Sequence, residues 1–282
     1  MTRHPEPRDV APIVQRLRVR YAKRGRLRFT SHRDFQRVLE RAVRRAGLPV
    51  AFSAGFSPHP KISYVGAAPT GAASEAEYVE IALTGPRMPA AVARALDEAL
   101  PQGFDVLDVV EAGPGSLADR IDASHWQIAI PGVPPGVAAA AVEAFRAAPE
   151  VPVERILKTG RRVLDARAAV AALGVVTDSD PGGCAILDLV VRHVTPAVRP
   201  DDVLTGLRQV SDSFDAASPR FPLATRLAQG HLDESGRLAD PLAPDRKHRT
   251  DRGDRDDPAD PDSRGDQDAR RRRDEHETSA LR

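Results

Sequence analysis

The strongest pattern of apolar positions in the chain predicts an amphipathic helix between Ser31 and Gly47. Apolar residues recur at the i, i+3, i+4, i+7 spacing of one buried helical face, at Phe35, Val38, Leu39, Ala42, Val43 and Ala46. Ser31 is a suitable N-cap, and Asp34 favours the positive end of the helix dipole. The polar face carries more cations than Glu40 alone can pair, at Arg33, Arg37, Arg41, Arg44 and Arg45. We therefore predict a basic helix with an unbalanced charge.

The positions before this helix alternate and predict a half-buried strand over residues 16–21. One face carries arginine, and the other carries Leu17, Val19 and Tyr21. After a turn at residues 23–25 the alternation resumes, with Leu27 and Phe29 as the apolar positions. We therefore expect five arginines on strand faces, opposite apolar ones: Arg16, Arg18, Arg20, Arg26 and Arg28.

In the first half of the chain, the predicted strands and helices follow one another in the order of a known fold. Strand pieces are predicted at 50–52 and 62–65, and a strand, a helix and a further strand at 75–83, 89–100 and 104–110. Together with the first strand and helix, the order is strand, helix, strand, strand, helix, strand. This order is typical of the split βαβ, or ferredoxin-like, fold, in which helices cover one face of an antiparallel sheet.

The order partly repeats after a predicted linker at Gly113-Pro114-Gly115. Strands are predicted at 126–130, 153–157 and 185–193, a short extended piece at Val163, and helices at 137–147 and 201–210. We therefore predict an α+β protein with a flexible lead-in at 1–13, a ferredoxin-like basic domain at 14–112, a second α+β unit of similar design at 116–230, and a charged tail at 232–282. The tail is predicted to be disordered, because it has few apolar residues to bury.

Composition limits the class of protein. The chain has 282 residues, of which 41% are hydrophobic, so it can bury a sizeable core. Cys184 is the single cysteine, which excludes a disulfide framework and a cysteine-built iron–sulfur or metal site within the chain. No apolar run approaches the ~20 residues needed to span a bilayer, and the N-terminus does not resemble a signal peptide. We expect a cytoplasmic protein with no membrane association and no cofactor.

Charge is distributed unevenly, although the formal net charge is only +1. Basic residues dominate positions 3–45 and acidic residues prevail at 75–122. Six basic side chains are the predicted phosphate contacts for RNA: Arg16, Arg18, Arg28, Arg37, Arg41 and Lys61. Phe29, Phe56 and Tyr64 are interleaved with them as possible stacking partners. The alternative is a solvated arginine-rich face in a protein from a high-GC genome, since arginine far outnumbers lysine.

A stiff polar loop follows the basic helix, and it carries the other candidate residues. Gly55 permits unusual backbone angles, while the two prolines hold the chain extended. The loop consists of Gly55, Phe56, Ser57, Pro58, His59, Pro60 and Lys61, and binding of a partner protein is one interpretation of it. Another hypothesis is metal-independent RNA cleavage, with His32 and His59 as acid and base and Lys61 stabilising the charge. The histidines have no metal-ligand spacing, so no metal site is predicted.

Four segments resemble the radical SAM-linked protein family, an uncharacterised bacterial domain that occurs behind a radical SAM enzyme or as a separate chain. They are LRFTSHRD at 27–34, RAVRRAGLPV at 41–50, GFSPHPKISY at 55–64 and SEAEY at 74–78. The resemblance covers about residues 14–207 and implies association with radical SAM chemistry, with RNA as the expected substrate. With Cys184 alone, this chain lacks the three cysteines of a [4Fe–4S] site and corresponds to the form without the radical SAM domain.

The expected function is therefore that of a non-enzymatic RNA-binding accessory protein, working with radical SAM or RNA-processing and RNA-modifying machinery. Two alternatives remain open. One is a protein-interaction module that docks on a radical SAM enzyme, and the other is a ribonuclease that uses His32 and His59.

Overall fold

The structure is a computed structural model that describes residues 11–54, 56–157, 160–176, 184–218 and 222–252. Its helices are α1 (His32–Arg45), α2 (Pro89–Ala99), α3 (Pro135–Ala147), α4 (Ala166–Ala169), α5 (Pro200–Val210), α6 (Asp212–Ala217) and α7 (Ala243–Arg252). Its strands are β1 (Gln15–Lys23), β2 (Ile62–Val65), β3 (Ala73–Leu83), β4 (Val106–Glu111), β5 (Ala123–Ile130), β6 (Pro152–Leu157), β7 (Gly160–Asp165), β8 (Val170–Val175), β9 (Ala185–Arg192) and β10 (Leu223–Gly230). The predicted α+β class is confirmed.

One large, mostly antiparallel sheet organises the protein. Its strand order is β4-β1-β3-β10-β5-β9-β8. β2 pairs with residues 78–81 of β3, and β10 contacts the beginning of β3. Only the β3–β10 contact is parallel among the pairs of described strands, and it is short, joining Ala73 to Thr225 and Ser74 to Arg226. β6 and β7 form a separate hairpin. The segments before and after the predicted linker therefore share a single sheet.

Side chains reinforce the short β3–β10 contact. The guanidinium of Arg226 forms a buried ion pair with Glu77 and donates to the hydroxyl of Ser74 at 3.2 Å. It also lies 5.4 Å from the ring centre of Trp126 on β5. The amide of Gln229 donates to the carbonyl of Ala76 at 2.5 Å. These buried contacts hold β10 beside β3 although the backbone pairing covers only two residue pairs.

Helices cover one face of the sheet in each part. α1 and α2 pack on β1 and β3 around Phe35, Leu39, Leu96 and Phe104. A second cluster joins α3 and α5 to β5 and β9, and Phe145 on α3 is fully buried in it. The predicted periodicity of α1 is confirmed, because Phe35, Leu39, Ala42 and Val43 are buried.

The opposite face of β1 and β3 is covered by residues 117–121, at the start of the predicted second unit, and by Leu242, in the predicted tail. Leu117 and Ile121 pack there together with Leu242, against Tyr78 of β3. Asp245, in the first turn of α7, is 2% exposed. The predicted start of the tail at residue 232 is therefore corrected: residues 232–245 belong to the compact unit Met1–Asp245. Residues 246–252 were also predicted to be disordered, but they belong to α7. The predicted tail from 253 onward lies outside the described residues, as does most of the predicted lead-in.

Two local predictions also change. Residues Gly25–Phe29 form a 3₁₀ turn and not the expected continuation of a strand. Gly25 has a φ of 55°, which reverses the chain after β1, and the amide of Thr30 donates to Leu27. β8 and β10 were not predicted, since each is a short mixed run without clear alternation.

Candidate nucleic-acid interface

α1 presents the most basic exposed surface among the described elements. Ser31 caps the helix, because its hydroxyl accepts the Asp34 amide at 3.2 Å. Arg37 lies 3.7 Å from the Asp34 carboxylate, and both side chains are more than half exposed. Such an ion pair is screened by water and contributes little. Arg33, Arg41 and Arg44 are exposed along the same helix. The polar face of α1 therefore retains a strong positive charge.

The loop after α1 is closed at its base by backbone hydrogen bonds. Ser53 donates its amide to the carbonyl of His59 at 2.9 Å, and the His59 amide donates to the Ser53 hydroxyl at 3.0 Å. The amide of Lys61 donates to Ala51 at 2.7 Å, and its carbonyl accepts from Ala82 of β3. The loop is therefore a closed projection from the edge of β3.

The tip of this loop exposes an aromatic ring. Phe56 is 89% exposed, and Ser57, Pro58 and His59 beside it are exposed as well, whereas Pro60 is partly buried. Gly55 lies outside the described residues. A phenyl ring left in water costs free energy that binding can recover, so the tip is suited to contact a base or an apolar group.

Tyr64 connects the loop to the start of α1. The His32 ring packs edge-on against the Tyr64 ring, with 5.1 Å between the centroids, and Phe35 contacts Tyr64 from α1 at 6.2 Å. Burial, and then the nearby Glu40, raise the pKa of Tyr64 well above its usual value. Because Tyr64 follows Lys61 by three residues, these contacts tie the end of the loop to the basic helix. Tyr64 is partly buried by this packing. The proximity of His32 to His59 stays a prediction.

The arginines of β1 do not form the expected phosphate-binding face. Arg16 is about half exposed and lies 3.2 Å from Glu80. Arg18 is 1% exposed and pairs with both Glu80 and Asp245, at 3.0 and 2.8 Å. The assignment of Arg18 to phosphate binding is therefore wrong, because the linker and the 232–245 segment cover this part of the sheet. Of the predicted contacts outside β1, Arg37, Arg41 and Lys61 are exposed.

Arg28 lies in a different environment from the one predicted. It is partly buried in the 3₁₀ turn, and its guanidinium carbon lies 4.7 Å from the ring centre of Phe29. Phe29 is 59% exposed. The pair faces a cleft whose other wall is α5. The α5 residues Asp201, Thr205 and Arg208 were not predicted as site residues, although their i, i+4, i+7 spacing places them on one helical face.

A serine–histidine contact at the end of β9 resembles the nucleophile–base pair of some enzymes. The Nε2 atom of His193 lies 2.7 Å from the Ser124 hydroxyl. Burial and the nearby Arg226 lower the pKa of His193. Ser124 is only 2% exposed, so its hydroxyl is not open to a substrate. We interpret the contact as structural.

The described residues contain no group of three or more histidine, cysteine, aspartate or glutamate side chains arranged to hold a metal ion. They also contain no helix of the length and apolarity required to cross a membrane.

One comparison with known proteins gives a family. Residues 16–200 match the family described as "Uncharacterized protein conserved in bacteria (DUF2344)". No curated protein matches the chain. The match ends at the first residue of α5, and it includes α1, the loop and the 3₁₀ turn.

Proposed function

We propose that this chain, which belongs to the DUF2344 family of proteins conserved in bacteria, is an RNA-binding accessory protein and not itself an enzyme. The observation that carries the proposal is the surface formed by α1 and the loop after it. Arg37, Arg41 and Lys61 are exposed there, and Phe56 is 89% exposed at the loop tip. Guanidinium and ammonium groups neutralise phosphates, and an exposed ring stacks on an unpaired base.

This surface suits single-stranded RNA better than a duplex. An exposed aromatic ring on a projecting loop reaches bases that are unstacked, whereas the bases of an A-form duplex lie in a groove that side chains do not read. Stacking on aromatic side chains tolerates any base. We therefore propose binding with little sequence preference.

We further propose that the fold consists of two ferredoxin-like units in tandem. The order β4-β1-β3-β2 and the order β10-β5-β9-β8 support this interpretation, because each is the 4-1-3-2 order of a split βαβ unit. In the second unit the β6–β7 hairpin is then an insertion. Sheets of this kind bind RNA through the face without helices. Here that face is covered at Arg18, which is why we assign binding to α1 and the loop.

The resemblance to radical SAM-linked proteins supports a partner for this surface, and we propose a radical SAM or RNA-processing enzyme in the cytoplasm. The alternative is that the loop docks directly on that enzyme, with Phe56 as an apolar anchor. The third proposal, RNA cleavage by His32 and His59, requires both imidazoles at one phosphate. A His59→Ala variant that binds RNA as before and loses cleavage would support it.

The test is binding of a fluorescent single-stranded RNA to the full-length protein across a salt series. We expect affinity to fall steeply with salt, and the triple variant Arg37→Ala, Arg41→Ala, Lys61→Ala to bind more weakly. Three lost phosphate contacts would make the slope of log K against log salt about 2 units shallower. A matched control replaces three exposed arginines on other elements with alanine, at Arg146, Arg161 and Arg237.

The control keeps the same change in net charge, so it separates a local surface from a general attraction. Equal loss in both triple variants would contradict a localised interface. Absence of RNA binding even at low salt would overturn the proposal and favour the docking alternative, which predicts a shallow salt dependence.

A further inference from the structure

A cleft of about 520 Å³ lies where β10 begins beside β3. One wall is the 3₁₀ turn with Arg28 and Phe29, together with the loop at residues 69–72. The other wall is formed by one face of α5 and by residues 222–224. The volume is within the range of small-ligand sites, which often form where two parts of a protein meet.

The first wall is held in place by hydrogen bonds to the backbone of its own residues. The Gly71 amide donates to the carbonyl of Arg28 at 2.8 Å, so the loop and the 3₁₀ turn are joined. Gly71 has a φ of 98°, a conformation that favours glycine. The ammonium of Lys23, 6% exposed, donates to the carbonyl of Pro69 at 3.3 Å. This wall is therefore formed before any ligand arrives.

Arg28 has a polar atom that the protein leaves unused. Its Nε is buried, and it is the sole buried side-chain nitrogen or oxygen in the described part of the chain without a hydrogen-bond partner. Buried donors are almost always paired, and guanidinium groups bind phosphate oxygens with two parallel N–H donors. The guanidinium carbon lies 4.7 Å from the ring centre of Phe29, and both residues line the cleft.

α5 adds a second cation and a carboxylate to the cleft. Asp201, Thr205 and Arg208 line it from one helical face. The Thr205 hydroxyl donates to the carbonyl of Asp201 at 2.8 Å, and Arg208 donates to Ser218 at 3.0 Å. The cleft thus combines two guanidinium groups, an exposed phenyl ring and an acceptor for an amino or hydroxyl group.

We propose that this cleft binds a nucleoside monophosphate, either as a free mononucleotide or as one unit of an RNA strand. The phosphate contacts Arg28 and Arg208, the base stacks on Phe29, and Asp201 accepts a hydrogen bond from the sugar or the base. Binding of one unit of an RNA strand rests on the RNA function proposed above, whereas binding of a free mononucleotide rests on the cleft alone.

The test uses full-length protein titrated with adenosine monophosphate, with inorganic phosphate, and with a single-stranded RNA. We expect Arg28→Gln to weaken nucleotide binding about tenfold or more, since it removes a charge-assisted contact. Phe29→Leu removes the stacking partner and should weaken the nucleotide but not inorganic phosphate. The matched control is Arg26→Gln, because Arg26 is exposed in the same 3₁₀ turn and does not line the cleft.

The outcomes separate the two sources and the two proposals. Loss of mononucleotide binding in Arg28→Gln, with Arg26→Gln unchanged, supports a site for the free nucleotide. If Arg28→Gln loses binding of the RNA strand only, the result supports a site for one nucleotide unit of a strand. If nucleotide binds and RNA does not, the cleft proposal stands and the RNA function fails. If folded Arg28→Gln and Phe29→Leu proteins match the parent with every probe, or nothing binds, the proposal is overturned.

Discussion

The Nη1 atom of Arg18 lies 2.8 Å from a carboxylate oxygen of Asp245, although 227 residues separate them along the chain. Both side chains are almost fully buried. The same carboxylate accepts from Arg120 at 2.9 Å and from the Gly113 amide at 2.9 Å. Asp245 therefore joins β1, the 113–120 segment and the start of α7 in one buried network, which gives the C-terminal segment a structural role.

Replacing Asp245 with alanine should destabilise the protein strongly. The change leaves the Arg18 guanidinium buried with only Glu80 as an acidic partner, and breaking a buried ion pair typically costs about 3–5 kcal/mol. Urea unfolding of the variant measures this loss. Glu234→Gln, at an exposed position in the same segment, is the control and should change the free energy of unfolding by less than about 0.5 kcal/mol. A small effect at both positions would show that the segment is not held by this network.

Packing between α3 and α5 makes a second prediction. A Cβ atom at Gly206 would lie 2.7 Å from Val151 and 2.9 Å from the Phe145 ring. Gly206→Ala should therefore destabilise the protein by about 1–3 kcal/mol, despite the higher helix propensity of alanine. At Gly136 in α3 the added Cβ meets nothing within 4 Å, so Gly136→Ala should be neutral or stabilising. Thermal unfolding of both variants tests the contrast, and the opposite order would contradict the packing.

His193 predicts a pH dependence of stability. Its pKa is lowered in the folded protein by burial and by Arg226, so the unfolded chain binds the proton more tightly. The contribution of His193 to stability is therefore complete above a pH of about 6.5 and is lost as the pH falls below that value. Unfolding measured from pH 7.5 to 5.5 should show a shallower decline for His193→Gln than for the parent. Parallel curves would contradict the assignment.

Phe56 should affect binding and not stability. Because the ring is 89% exposed, Phe56→Ala removes almost no buried surface. Loss of one stacked base costs about 1–3 kcal/mol, which is a decrease in RNA affinity of about 5- to 150-fold. Ile156→Ala is a control at another exposed apolar residue, 80% accessible on β6. Equal RNA affinity of Phe56→Ala and the parent would remove the loop tip from the proposed interface.

The local pattern of apolar and polar residues was sufficient to predict α1 and β1. The apolar spacing of α1, its Ser31 cap and the presence of strand β1 were predicted and confirmed, as was the α+β class, but the half-buried character of β1 was wrong because Arg18 is buried. The exposed loop could be predicted as well, because prolines and glycines set the backbone conformation of their immediate neighbours. Predictions of this kind succeed because helix and strand periods reflect contacts between near neighbours.

The environment of each arginine was decided only by the tertiary structure. Arg18 and Arg37 were both predicted to lie on the polar face of an element. Arg18 is buried against Asp245, whereas Arg37 is exposed to water. Arg28 faces α5 across a cleft that lies where β10 pairs with β3, far from Arg28 in the sequence. Alternation identifies which side chains share a face, but a distant segment determines whether that face is covered. The chain pattern therefore determined the strongly periodic elements, such as α1, whereas long-range packing determined which charged side chains are buried and which are exposed.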